Sequence, residues 1–166
     1  DERNNVAYAG LSTTVKEVLV DASVGLDDEA EAAAEVNARL SAGEHNFINR
    51  NEWRAENFDT ASNGDENDGF FRTQLNANGP LGLNLGRDPT YTGTVSYFDS
   101  SNGFQSFTGS AGVGTRFGRF GVSEALSYTT NNTSADDQFI WTNVVNGRYG
   151  KNNIRFFSDC CPGSIR

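Results

Sequence analysis

The chain has no methionine, one histidine, two cysteines, three prolines and only two lysines among its 166 residues. Its apolar runs are all far shorter than the roughly 20 residues a membrane helix requires, and the mean hydropathy of −0.55 agrees. Helical membrane spans are therefore excluded, and the reading is of a soluble chain without an integral membrane segment. Two adjacent cysteines, Cys160 and Cys161, are too few for a disulfide framework. One histidine and two vicinal cysteines do not make a tetrahedral zinc site. The net charge of −9 and the lack of any Lys/Arg cluster argue against nucleic acid and anionic lipid headgroups as partners. The missing methionine and the start at Asp1 point to an exported chain whose leader has been removed, placing it outside the cell.

What is present is a single domain's worth of sequence, long enough to bury one core. Charge is uneven along it. Residues 1–69 carry 5 Lys/Arg against 16 Asp/Glu, and residues 70–166 carry 8 against 6. The cations are almost all arginine, which pairs carboxylates bidentately, so an acidic front and an Arg-bearing back suit head-to-tail contact between copies. The domain 1–166 divides into an acidic segment 1–58, a polar loop 59–69 and a β-rich segment 70–166.

In the front segment, Leu11, Val15, Val18, Leu19 and Ala22 recur at helical spacing, and Gly25 closes the run. A second helix is expected over 27–40, with Asp27, Asp28 and Glu29 on its first turn, Arg39 on its last and Gly43 beyond the end. The stretch 47–53 is mixed. Beyond the loop come short β-like runs at 70–75, 90–98, 103–108, 111–117, 120–129, 138–145 and 153–157, with Asn102-Gly103 and Asn146-Gly147 as hairpin turns. Tyr91, Val95 and Tyr97 alternate with small polar residues, and Phe120, Val122, Leu126 and Tyr128 share one parity. The expected fold is α+β and β-rich: two short N-terminal helices with an antiparallel β-meander, sandwich or small barrel.

Few motifs carry chemistry. The glycines at 109, 112, 114, 118 and 121 match no phosphate-binding loop and read as strand bulges or close backbone approaches. Asp65, Asn67 and Asp68 place oxygen ligands at near-alternate positions, a weak calcium candidate and the sole cofactor considered. His45 has no Gly-x-Ser-x-Gly partner and reads as a helix C-terminal cation rather than a catalytic base. No catalytic residue is assigned, and the chain leans away from being an enzyme. Asn131 and Asn132 open two overlapping glycosylation sequons in a polar loop.

The leading expectation is an exported structural or assembly subunit that forms homo-oligomers. Val15, Val18, Leu19, Arg116, Arg119, Cys160 and Cys161 are its candidate interface, the cysteines serving as an interchain staple. The alternative is a small β-barrel holding an apolar ligand, with Phe120 and Tyr128 lining the pocket and Glu124 as its polar anchor. A carbohydrate-binding module would instead expose Trp53, Trp141 or Tyr91 beside Asn and Asp side chains.

Overall fold

A computed structural model describes residues 6–58, 68–133, 137–149 and 152–163. They form one open antiparallel sheet of ten strands in chain order: β1 (Ala7–Val15), β2 (Val18–Leu26), β3 (Ala32–Ala42), β4 (His45–Arg54), β5 (Phe70–Pro80), β6 (Arg87–Ser100), β7 (Gln105–Phe117), β8 (Phe120–Asn131), β9 (Gln138–Tyr149) and β10 (Asn152–Gly163). Every strand pairs only with its sequence neighbours. The expected meander is therefore present, and among the described residues it extends from β1 to β10.

The two expected N-terminal helices are absent: the described fold is all-β, not α+β. Residues 11–22 form the β1–β2 hairpin, turned at Lys16 and Glu17, with Leu11 facing Ala22 and Val15 facing Val18. Residues 27–40 divide into a connection and β3. The physical reason lies in the spacing. Residues four apart share a face in a helix and in a strand, so Leu11 with Val15, Val18 with Ala22, and Val36 with Leu40 satisfy both periods. The acidic start that resembled a helix N-terminus is a capped turn. Asp27 Oδ1 accepts hydrogen bonds from the backbone N–H of Glu29 at 3.1 Å and of Glu31 at 2.8 Å. Ala30 then takes φ +66°, which no helix continues. Gly25 lies within β2 rather than ending a helix, and His45 opens β4 rather than following one.

Two expectations about strand boundaries also change. The runs 103–108 and 111–117 are one strand, β7, because Gly109 and Ser110 stay in register with Val95 and Thr94. The Asn102-Gly103 turn joins β6 to β7 as expected, whereas Asn146-Gly147 lies inside β9, opposite Arg155 and Ile154.

Strand pairing assigns every side chain to one of two faces. One is apolar. It carries Val18, Val20 and Val24 of β2; Val36 and Leu40 of β3; Phe47 and Trp53 of β4; and Phe71 and Leu75 of β5. It continues through Tyr91, Val95 and Tyr97 of β6, Phe107 and Val113 of β7, Val122, Leu126 and Tyr128 of β8, and Phe139 and Trp141 of β9. The other is polar, with Glu35, Arg39, Arg50, Glu52, Arg54 and Arg72 toward the front and Thr92, Thr94, Ser96, Thr108, Ser110, Ser127 and Thr129 toward the back.

Among the described residues nothing lies over the apolar face. Among the described residues one apolar side chain, Phe58, is fully buried. The chain exposes 11856 Å², against roughly 8,000 Å² for a compact globular protein of this mass. A one-layer sheet explains the excess, because a second layer is what ordinarily removes the apolar side of a sheet from water.

Candidate functional site

A water-soluble domain covers its apolar side chains, and here most of them are left open. Arg54 and Glu52, on the polar face, keep only 24% of their side-chain surface exposed, whereas Trp53 between them, on the apolar face, is 44% exposed. Leu75, Val95, Val113 and Leu126, in the middle of the apolar face, are likewise open to the surroundings. On the polar face the crowding is local to Arg54 and Glu52, since Arg50 and Arg72 beside them keep 53% and 52% of their side-chain surface exposed.

That polar side holds a built cluster near the β4–β5 connection. The Arg54 guanidinium lies 5.0 Å from the Phe70 ring centre and 5.8 Å from that of Phe58, and the Arg72 guanidinium lies 5.7 Å from Phe70 and 5.4 Å from Phe98. Glu52 sits 4.0 Å from each arginine. Arg50 pairs Glu35 at 3.1 Å, and Asn37 donates to the same carboxylate at 2.7 Å. Cations over aromatic faces hold better when water is scarce around them. Farther along, charge gives way to hydroxyls. Thr94 donates to Asn76 at 3.0 Å, and the Thr108 and Thr129 hydroxyls meet at 3.3 Å.

The apolar side is zoned along the strand direction. Toward one rim each of β4 to β9 contributes an aromatic: Trp53, Phe71, Tyr97, Phe107, Tyr128 and Phe139. Toward the other stand Phe47, Tyr91, Phe117 and Phe120. Aliphatic and small residues fill most of the space between, where Ala77, Gly93 and Ala111 align across three strands to floor an apolar trough of about 770 Å³. Its walls include Tyr91, Val113, Leu126 and Trp141. Polar groups on this side are satisfied among themselves where they cluster. Thr73 donates to Asn51 at 2.8 Å, Asn51 to Asn49 at 2.5 Å, and Asn49 to the Gln74 carbonyl at 3.3 Å.

The two rims differ. On one side the turns between β1 and β2, β3 and β4, and β7 and β8 have two residues each. Gly43 and Gly118, at φ +62° and +60°, open two of them with the left-handed residue that matches strand twist. The same side also carries the longer connection 81–86. On the other side the described connecting residues include the acids Asp27, Asp28, Glu29, Glu31, Glu56, Asp68 and Asp137, with no Lys or Arg among them. Lys16 falls in the β1–β2 turn of the opposite rim.

The expected site residues do not converge on one point. Val15 and Val18 flank the first turn on the apolar face, and Leu19 points to the polar one. Arg116 is the next-to-last residue of β7, opposite Gly121, and Arg119 lies in the β7–β8 turn. Phe120, Glu124 and Tyr128 share the apolar face along β8; Glu124 lines the apolar trough, and Phe120 and Tyr128 lie beyond it on either side. Glu124 is exposed between Val113 and Asn143, and among the described residues it has no ion-pair partner. Cys160 pairs with Trp141 in the backbone register of β10. Asp65 and Asn67 lie outside the described residues, and Asp68 accepts a hydrogen bond from Asn102 at 2.6 Å.

His45 is engaged structurally. Its Nδ1 lies 3.1 Å from the Tyr91 hydroxyl, the two rings stacking across Gly79. A side chain at Gly79 would strike the His45 ring, so the glycine is what lets β4 and β6 side chains meet over β5. At the acidic rim, the Tyr128 hydroxyl donates to Asp137 at 2.7 Å. Hydrogen bonds from Thr130 and Tyr128 hold the Asp137 carboxyl below its ordinary range, and the same contact with Asp137 holds the Tyr128 phenol above its own. Tyr97 is raised too, by desolvation first and then by the neighbouring Asp99 charge.

What sequence reasoning missed was the apolar face as a whole. Its signal was present in the period-2 alternation of Ala34, Val36, Ala38 and Leu40, residues whose alanines suggest a helix instead. The class these features define is a single-sheet, all-β meander with one apolar and one polar surface. No known protein family, curated protein or solved structure matches this chain.

Proposed function

We propose that the chain forms wall of a transmembrane β-barrel, its apolar face turned to lipid and its polar face to an aqueous interior through which small polar solutes pass. One observation carries the reading: among the described residues one whole face of the ten-stranded sheet is apolar and uncovered, with Leu75, Val95, Val113 and Leu126 open at its middle. A sheet that met water on that side would carry polar residues there. Three features agree with it. The strands run from 9 to 14 residues, and about 9–11 residues tilted by roughly 45° cross the hydrocarbon of a bilayer. Aromatics band both ends of the apolar face, where interfaces favour them. Two-residue turns predominate on one rim, with the six-residue connection 81–86 as the exception, while every connection on the other has four residues or more, an asymmetry that such barrels show.

No helix among the described residues is long and apolar enough to cross a membrane, which leaves strands untouched. The exported location expected from the sequence becomes, in this reading, an outer-membrane type of bilayer. The test is refolding by dilution from urea into phosphatidylcholine vesicles. Supporting results are strand circular dichroism that requires lipid, protection of the strands from protease with cleavage in the long connections, and leakage of small solutes. A monomer that folds in plain buffer and stays out of the vesicles refutes the proposal.

The assembly-subunit expectation stays as a second reading because β1 is an unpaired edge. There the apolar face would be covered by another copy, and large detergent-free particles would replace vesicle insertion.

A further inference from the structure

We infer that β1 is a docking edge, and that its occupant is β10 of a second copy of this chain in the same orientation, so that the sheet continues from molecule to molecule. The inference deepens the membrane-wall reading and rests on it for one demand: in hydrocarbon no strand edge is left without hydrogen-bond partners.

Within one chain the demand is not met. β1 pairs with β2 alone, β10 pairs with β9 alone, and β1 and β10 share no contact among the described residues. β1 also lacks every device that ordinarily blunts an edge. Its nine residues, AYAGLSTTV, include no charge and no proline, they pair with β2 without a bulge, and all nine are exposed. Such an edge is a template for another strand.

The geometry selects which strand. Nine successive antiparallel pairings make β1 and β10 run in opposite directions, so β10 of a like-oriented neighbour meets β1 antiparallel, as every other pair in the sheet does. Pairing β1 with β1 of a second copy would also be antiparallel, but it would turn one copy over, setting acidic long connections on both sides of the membrane. The rim asymmetry disfavours that arrangement. Head-to-tail joining keeps one apolar face and one acidic rim, and it closes into a ring when the rotation per copy permits.

The test uses the full chain carrying Cys161→Ser, which leaves Cys160 as the single thiol of β10. Ala7→Cys, Ala9→Cys, Leu11→Cys and Thr13→Cys are added one at a time, and each protein is inserted into phosphatidylcholine vesicles, oxidised and run on a non-reducing gel. The expected result is a reducible band at twice the chain mass, at least 5-fold above the Cys161→Ser background at one or more positions and lost when Cys160→Ser is added. A fast-migrating, reducible species of single-chain mass shows β1 joined to its own β10, which overturns the inference and leaves the membrane wall intact. Inserted protein that cross-links at none of the four positions overturns it as well. Failure to insert overturns both readings together.

Discussion

Replacing Val95 by arginine is the sharpest single test of what the apolar face meets. Val95 lies near the middle of β6, between the ring-bearing Tyr91 and Tyr97, with Leu75 and Gly109 as cross-strand neighbours and 45% of its surface open. In water, a half-exposed valine replaced by a long cation changes stability by about 0.5 kcal/mol or less. On the lipid face of a barrel near the bilayer midplane the same change costs about 2–4 kcal/mol. A loss of about 3 kcal/mol lowers the folded-to-unfolded ratio about 150-fold. Ser96→Arg is the matched control: one residue away, it points to the polar face between Gln74 and Thr108. There the guanidinium stays hydrated and the expected loss is under about 1 kcal/mol. Urea titration of vesicle-inserted protein, followed by tryptophan emission, measures both. Trp53 and Trp141 both sit on the apolar face, so their blue-shifted emission reports lipid contact directly. Equal losses for the two variants, or a Val95→Arg protein that inserts as stably as the parent, would refute the assignment of faces.

Gly79→Val is expected to cost about 1–3 kcal/mol by forcing apart His45 and Tyr91, while Gly82→Val, where a side chain meets open space, is expected to be neutral; urea midpoints decide it. Glu52→Gln leaves Arg54 and Arg72 without their shared carboxylate and should lower stability by about 1 kcal/mol at low salt, the difference shrinking at high salt because Arg72 is half exposed. Tyr128→Phe should raise the Asp137 titration toward the ordinary carboxylate range, read by carboxyl-carbon NMR. With the native contact, a depressed Asp137 contributes stability above the unfolded carboxylate pKa that disappears as pH falls through the folded one. The raised Tyr128 contributes stability below the ordinary phenol pKa, lost as pH rises through its folded value. The variant should lose the Tyr128 share of the alkaline limb, leaving that of Tyr97, and weaken the acidic one.

The back half of the chain was legible because its residue types and its period agree. Tyr91, Val95 and Tyr97, like Phe120, Val122, Leu126 and Tyr128, are β-favouring, and each set lies on one face as its parity requires. The front half was misread because type and period conflict. β3 uses Ala34 and Ala38 on its apolar face, good helix formers whose spacing of four also suits a helix, and Asp27 caps a turn with the hydrogen bonds it would have made at a helix start. Tertiary pairing to β2 and β4 settles the matter, and pairing is a nonlocal fact. Asn146-Gly147 fails for the same reason, its turn preference being overridden by neighbours on both sides in β8 and β10. The shared face of Phe120, Glu124 and Tyr128 was readable in advance; that this face has no second layer was not, because a strand in a sandwich alternates in the same way.

A sheet of one layer has no jigsaw to satisfy. In a closed core each side chain must match the shape of those packed against it, so a change of one methylene is felt. In the membrane-wall reading the exposed Val95, Leu126 and Trp141 face a fluid rather than an opposing surface, and a fluid neighbour conforms to whatever outline they present. The constraint on that surface is therefore chemical and not geometric: alanine, valine, leucine and phenylalanine are close to interchangeable there, whereas a single charge is not. Such a surface drifts freely in sequence while its alternation stays fixed. The durable signature of this molecule is a rhythm rather than a set of residues.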